Sequence, residues 1–477
     1  MASAHYNLTS FDPKRLARSY QPVQRLNLNT DAYPCQSTSL LPSIHDPQYY
    51  QGILANSSNF SARSVCEIFE IKNGIGSSML KLDDIGLAEY LQRCSNEPNK
   101  TILRAIFCTY KNAQITSFGL QVSLSQRSVE QLLQQFNVSP QFVPLLFAEP
   151  DYWAPGDFQT HKDNGSLESI EFFCQQPRWN IHKQQTPWCI YMTHDFLLSC
   201  STYIIVCGEA YPSCDTVKLK LSQIFGGVDE KVAKKSYAKD PFLLHSMISY
   251  EALFEAKAIV TKLRLRLYDQ LDIVDAYAKE PSDRRNLEKL TIELHSISQD
   301  TDSLLASADM AEMIAESMLV SHQRCKSVLQ LADLKDEVIK ISDSLTYLKT
   351  SIQSQKRWLM SYKNRKDIAM NLVYNLVTQQ DSATNTTIAR ETKADSSSMK
   401  TIAILTMLFL PGTFIATVFQ LPFVENAEPW HYLAVTLPLT VLIMAIWSIW
   451  NRILAISKII IKWSVERLWK TEVDVTA

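Results

Sequence analysis

Four threonines, Thr401, Thr406, Thr413 and Thr417, sit in an otherwise apolar run, residues 401–419, with Pro411 and Gly412 at its middle. A hydroxyl in an apolar helix has two uses: it donates back to a carbonyl of its own helix, or it faces a wetted path. Thr406, Thr413 and Thr417, with Met399, Ile402 and Leu410, recur at three-, four- or seven-residue intervals. That spacing puts them along one side of a helix, as a pore-lining stripe would be. The chemistry such a stripe supports is noncovalent, with oxygens and apolar constrictions presented to something that passes.

Covalent chemistry finds little to work with. Asn73-Gly74-Ile75-Gly76-Ser77 contains a G-x-G without a third glycine and reads as a turn. No phosphate-binding loop with its Lys-Ser/Thr, no G-x-S-x-G and no H-E-x-x-H occurs. His182 and His194 are lone imidazoles near cysteines, which are more often core or surface residues than ligands. The ten cysteines form no C-x-x-C pair, so they read as reduced intracellular thiols, several of them core, rather than as a zinc site. No enzyme activity, no resident cofactor and no assigned metal site are expected. With 47 basic against 49 acidic residues, a net charge of −2, the composition gives no sign of a nucleic-acid partner.

The elements that position the threonines come next. Residues 401–419 and 432–450 are two uncharged runs of 19 residues, each ~28 Å long as a helix, close to the ~30 Å hydrocarbon core of a bilayer. They read as a transmembrane hairpin. Its linker, residues 420–431, has no Lys or Arg and carries Glu425 and Glu428. Lys393 and Lys400 precede the first run, whereas Arg452, Lys458, Lys462, Arg467 and Lys470 follow the second. The positive-inside rule then keeps both termini cytoplasmic and sends the acidic loop outward. The sequons at Asn56, Asn59 and Asn164 would thus never meet a secretory lumen. The N-terminal residues have no apolar h-region, and Pro13 and Pro22 interrupt any presequence helix among Lys14, Arg15 and Arg18, which favours the plasma membrane over the mitochondrial inner membrane.

The expected fold is an α/β or α+β cytosolic N-terminal domain, then long α-helices, then the two-helix hairpin. Residues 1–61, rich in Ser, Asn, Pro and Tyr, read as a poorly ordered lead-in. Residues 62–227 mix β-rich runs at 65–71, 101–110, 189–192 and 202–207 with a helix at 128–136. Between Val228 and Pro411 there is no glycine, where average usage would place about a dozen. Residues 228–400 therefore read as long helices and a stalk, broken near Pro281 and again between Ser327 and Ser344. An apolar seam at roughly heptad spacing, Leu345, Leu348, Ile352, Leu359, Tyr362, Ala369, Val373 and Leu376, packs against preceding helices or against copies of itself. Residues 378–398 are polar but contain no helix breaker, as suits a stalk that surrounds water. A basic tail, 451–477, closes the chain.

Met399-Lys400-Thr401-Ile402 followed by Phe409-Leu410-Pro411-Gly412-Thr413-Phe414-Ile415-Ala416 resembles the inner helix of the CorA-type magnesium transporters. Around it, Asn371-Leu372-Val373-Tyr374-Asn375-Leu376-Val377 and Ala389-Arg390-Glu391-Thr392-Lys393-Ala394-Asp395-Ser396-Ser397 look like the stalk of the fungal CorA-like group. The resemblance implies a homopentamer in which the long helix lines a pore for Mg²⁺, the transported and possibly regulatory ion. Met399, Ile402, Thr406, Leu410, Thr413 and Thr417 would then face the path, and Lys458, Lys462, Arg467 and Lys470 would form a basic collar. One departure stands out. Where the family has an aromatic, Gly-Met-Asn and Phe, this chain has Phe419-Gln420-Leu421-Pro422-Phe423. The amide that would hold hydrated Mg²⁺ is missing, Gln420 is the polar group nearest the mouth, and a non-conducting, membrane-anchored scaffold is the competing class.

Overall fold

The computed structural model describes residues 33–34, 46–72, 74–96, 101–150, 154–179, 187–209, 212–226, 236–279, 284–331, 335–418, 420 and 429–473. The chain forms two compact units, residues 1–373 and 374–477.

The first unit is built on one mixed sheet. Its strands are β1 (Cys66–Lys72), β2 (Ile75–Gly76), β3 (Leu80–Leu82), β4 (Thr101–Asn112), β5 (Leu120–Val122), β6 (Gly156–His161), β7 (Leu167–Gln175), β8 (Cys189–Asp195) and β9 (Cys200–Gly208). They run in the order β2-β1-β4-β9-β8-β7-β6, with β3 beside β1 and β5 beside β4. Among the described strands β4 and β9 alone pair in parallel, at the middle of the sheet. Every residue of β9 is buried, as expected of a strand covered on both faces. Gly74, at φ +77°, turns the chain from β1 into β2, so the glycine-bearing segment is a hairpin turn.

The alternation of side chains divides the interior into two cores. Tyr203, Ile205 and Cys207 of β9 and Leu103, Ala105 and Phe107 of β4 face one core. Ile204 and Val206, with Ile106, Cys108 and Tyr110, face the other. The second core is closed by α1 (Pro47–Ala55), α2 (Asp84–Asn96), α3 (Gln126–Gln135) and α4 (Val143–Leu146). The first is closed by α5 (Pro212–Phe225), α6 (Leu243–Lys279), α7 (Arg284–Leu331) and the start of α8 (Lys335–Val418). This is the mixed α/β domain followed by long helices that the composition indicates.

Residues 46–60 depart from the expected unordered lead-in. Asp46 caps α1 by accepting from the Tyr49 N–H, Pro47 opens the helix, and Ile53, Leu54 and Phe60 are buried in the second core. Tyr33 donates its hydroxyl to the Val138 carbonyl at 3.0 Å. Three scattered apolar residues do this work, which a period search over a polar segment does not register. Strands β6 and β7 were also not anticipated; β6 is polar and mostly half-buried, with no apolar alternation to mark it.

The glycine-free segment forms helices that end at Lys279 and Leu331 and resume at Arg284 and Lys335. In α8 the seam residues Leu345, Leu348, Ile352, Leu359, Tyr362, Ala369 and Val373 are all buried, and Leu376 is half-buried. They pack within the chain, since the first five share the first core with Leu263, Ile297, Leu304 and Ile314 of α6 and α7. A charge ladder fixes the register. Lys349, Lys356 and Lys363 of α8, seven residues apart, pair with Glu316, Asp309 and Asp302 of α7, also seven apart and in reverse order. Lys356 also meets Glu312 at 2.9 Å, and this cation, together with the Gln353 amide, holds the Glu312 carboxyl below its ordinary range. Antiparallel neighbours with a seven-residue repeat bring these pairs round on the same flank at every second turn.

The second unit contains the remainder of α8 and α9 (Pro429–Val473). Helix α8 passes through residues 378–398 without a break. Two stretches, ending at Val418 and covering Trp430–Trp450, are long and apolar enough to cross a membrane. Their apolar side chains are largely exposed in the chain taken alone, for example Leu405, Phe409, Leu437 and Val441. A buried core helix of a soluble domain would have these covered. The protein is therefore a two-span membrane protein, and α9 continues as helix beyond the second span into the basic tail.

Candidate functional site

Helix α8 meets α9 along one side only. Pro411 and Ile415 are buried and Gly412 and Ala416 half-buried, while Tyr432 of α9 donates its hydroxyl to the Gly412 carbonyl at 3.0 Å. A Cβ at Gly412 would stand 3.4 Å from the Tyr432 hydroxyl oxygen and 3.7 Å from Thr436 Cγ2, so the small residue lets α9 approach.

The six stripe residues lie on the opposite side. At 3.6 residues per turn, Met399, Ile402, Thr406, Leu410, Thr413 and Thr417 fall within an arc of about 80°, centred away from Pro411. All six are exposed, Met399, Ile402 and Leu410 each by more than 60%. Leu405, Phe409 and Phe414, outside the stripe, are exposed as well, so α9 covers only the side that carries Pro411 and Ile415.

Each stripe hydroxyl donates into its own helix: Thr406 to the Ile402 carbonyl at 2.6 Å, Thr413 to Leu410 at 3.0 Å and Thr417 to Phe414 at 2.7 Å. The two uses of a membrane threonine are thus compatible. A hydroxyl has one proton and two lone pairs, so a back-bonded threonine still presents oxygen as an acceptor and no longer presents a donor. Such a face suits cations and water more than anions.

Of the segment expected to form the mouth, Gln420 is described: it is exposed and its N–H donates to the Thr417 carbonyl at 3.3 Å. Leu421, Pro422, Glu425 and Glu428 lie outside the described residues. Lys458, Lys462, Arg467 and Lys470 fall on the last turns of α9, where only the backbone is described.

Other polar groupings serve the fold of the first unit. A groove of about 900 Å³ between α2 and α3 is bordered by Asp84, but that carboxylate accepts from the hydroxyls of Ser64, Ser125 and Ser128. Burial works against the charge, yet these donors hold the Asp84 carboxyl well below the usual range, so it acts as a clamp between helix starts. His322 and Asp240 form a fully buried pair at 2.9 Å. His245 nearby is buried against Phe172, Phe242 and Tyr203, and burial pushes its pKa down to about 3. His194 is also buried, against Ser201, with its pKa pushed down to about 4. His182 lies outside the described residues. Among the described residues no group of three or more His, Cys, Asp or Glu side chains is placed to hold a metal ion.

Sequence reasoning missed the Tyr432–Gly412 contact and the Lys–acid ladder. A glycine in the first span and a tyrosine at the start of the second were the available signal for the former. The ladder was visible as heptad-spaced lysines and acids, but only once α7 and α8 are known to be antiparallel neighbours.

No protein-family model matches the chain. A stretch of 91 residues is 33% identical to notoamide biosynthesis cluster protein M' of Aspergillus versicolor, covering 17% of this chain and 18% of that protein's length. Among solved structures, full-length CmaX aligns over 82% of this chain and 97% of its own, at 12% identity and a TM-score of 0.43. The CorA magnesium transporter of Methanocaldococcus jannaschii aligns over 80% and 96%, at 14% identity and a TM-score of 0.39. The ZntB cytoplasmic domain of Vibrio parahaemolyticus aligns over 66% and 99%, at 8% identity and a TM-score of 0.41.

Proposed function

We propose that the protein is a passive, CorA-like pathway for Mg²⁺ or a related divalent cation, formed where copies of α8 turn their uncovered faces toward a common axis, five copies on the resemblance of the inner helix. The observation that carries this reading is the stripe: three acceptor-only hydroxyls and three apolar side chains on the face of α8 that α9 leaves bare. Packed around water, the hydroxyl oxygens would steady a hydrated ion while Ile402 and Leu410 would close the path by dewetting. With both termini cytoplasmic, inward movement of a divalent ion is favoured by about 5 kcal/mol per 100 mV of potential, so no energy-coupling site is required.

The departure Phe419-Gln420-Leu421-Pro422-Phe423 favours a second reading, a membrane-anchored scaffold that does not conduct. Flux of Mg²⁺ and other divalent ions into proteoliposomes separates the two. Uptake that follows the imposed potential and falls in Gln420→Ala supports transport, with Gln420 as the substitute acceptor. Absence of divalent uptake by correctly assembled oligomers overturns it in favour of the scaffold.

A further inference from the structure

Within the first unit, α8 has two open flanks of opposite chemistry. On one flank it runs parallel to α6: Tyr250 stacks on Tyr347 with ring centres 6.3 Å apart, and Arg365 donates to the Tyr268 hydroxyl at 2.9 Å. Phe254 and Leu265 of α6, and Tyr347 and Trp358 of α8, lie eleven residues apart on their helices and are all more than half exposed. Eleven residues are close to three turns, so each pair keeps to one side of its helix. The flank is also basic. Residues 256–268 carry four Lys or Arg and residues 347–365 carry five, and neither stretch has an acid. Lys257, Arg264 and Arg357 are exposed and, among the described residues, have no acidic partner.

On the other flank α8 meets α7, and that surface is acidic. Residues 286–317 of α7 hold seven Asp or Glu against the single base Lys289. Asp302, Asp309 and Glu316 pair with the lysine ladder, yet their side chains stay 55%, 58% and 61% exposed. A carboxylate bound to one lysine keeps lone pairs for a second cation. One turn beyond each acid stand Ala306, Met313 and Val320, all exposed.

The two flanks match in height. The tyrosine contacts fix α6 against α8 and the ladder fixes α8 against α7, which sets Lys257 level with Ala311 and Arg264 level with Leu304. Each base thus lies within two residues, about 3 Å of helix rise, of an acid on the far flank, Asp309 for Lys257 and Asp302 for Arg264. By the same count Phe254 is level with Ile314, next to Met313, and Trp358 with Ser307, next to Ala306. Rotation about an axis along the helices leaves heights unchanged, so copies arranged in a ring bring these residues face to face.

We propose that the α6–α8 flank of one copy receives the α7–α8 flank of a second copy, with Lys257 on Asp309, Arg264 on Asp302 and Phe254 against Met313. Two α6–α8 flanks brought together would oppose like charges, so the contact is head-to-tail, and a head-to-tail contact that closes makes a ring. The inference rests on the gathering of α8 copies proposed above and needs no conduction.

The test uses the full-length chain in detergent with photoreactive p-benzoylphenylalanine in place of Trp358, irradiated and read on denaturing gels and by mass spectrometry. The expected product is a ladder of chains joined through α7 peptides between residues 302 and 313. Lys257→Glu together with Arg264→Glu, both at exposed positions, should lower that yield about tenfold while circular dichroism and the unfolding midpoint stay those of the parent chain. Products joined through α6 or α8, no interchain product from chains that elute as oligomers, or a yield indifferent to the charge reversal would each overturn the proposal. Elution as monomers overturns the assembly itself. Divalent uptake is read separately: the α7 product without uptake keeps this interface and removes transport, and uptake without the product does the reverse.

Discussion

Helix α8 is one helix with two kinds of surroundings. From Lys335 to Val373 its apolar seam is buried on α6 and α7, and three lysines hold it in register along α7. From residue 374 to the end of the helix nearly every side chain is exposed, apart from the turns where α9 touches Pro411 and Ile415. The first stretch is stabilised inside the chain. The second is covered inside the chain chiefly where α9 meets it, and a polar 20-residue helix alone in water is marginal. A long helix that leaves most of its side chains uncovered is stabilised by surroundings outside the chain, which for residues 401–418 are lipid and, on the proposed reading, other copies.

Substitutions can break this contrast. Leu359→Ala, at a fully buried seam position, should cost about 3 kcal/mol of first-unit stability, read from denaturant unfolding followed by tryptophan fluorescence. Leu410→Ala removes the same atoms from the open stretch and should leave that transition within about 0.5 kcal/mol of wild type. If Leu410→Ala destabilised the isolated chain as much as Leu359→Ala, the division of α8 would be wrong.

A second contrast is in pH dependence. Burial raises the Glu171 carboxyl on β7 to about 6, even though it accepts from the Ser139 hydroxyl. Its unfolded value is near 4.5, so the folded state prefers the proton. The first unit should lose about 2 kcal/mol as pH rises from below 4.5 to above 6. Glu171→Gln should flatten that decline when unfolding is followed between pH 4 and pH 7.5.

Smaller effects sharpen the picture. Lys356→Met removes the middle rung of the ladder and should cost about 0.5 to 1 kcal/mol, shrinking at high salt because the lysine is partly exposed. Thr413→Val keeps shape and loses the lone pairs. It should change stability by under about 0.5 kcal/mol yet lower divalent flux about threefold, while Thr413→Ser retains it. Flux unaffected by Thr413→Val would remove the hydroxyl stripe from the pathway.

How much of this was legible beforehand depended on whether a residue's role is periodic. Ile204 to Cys207 and Ile106 to Cys108 announce buried strands because both faces are apolar, and the seam from Leu345 to Val373 announces a packed helix because its period is regular. Met399 to Thr417 could be placed on one face by counting. Phe60 and Ile53 were missed because each contributes alone to a core assembled from distant segments. Strand β6 was missed because its stability comes from backbone pairing with β7, which leaves little mark on side-chain pattern. The ladder needed two helices to be read together.

The contact between Tyr432 and Gly412 has a mechanical meaning. Pro411 carries no N–H, so the carbonyl one turn back, that of Met407, goes without its helical donor, and the backbone there is softer than in the rest of the span. Tyr432 donates its hydroxyl proton to the carbonyl of Gly412, the residue after the proline. The second span thus acts as a splint across the weakest turn of the first, and bending of α8 at that level would have to drag α9 with it.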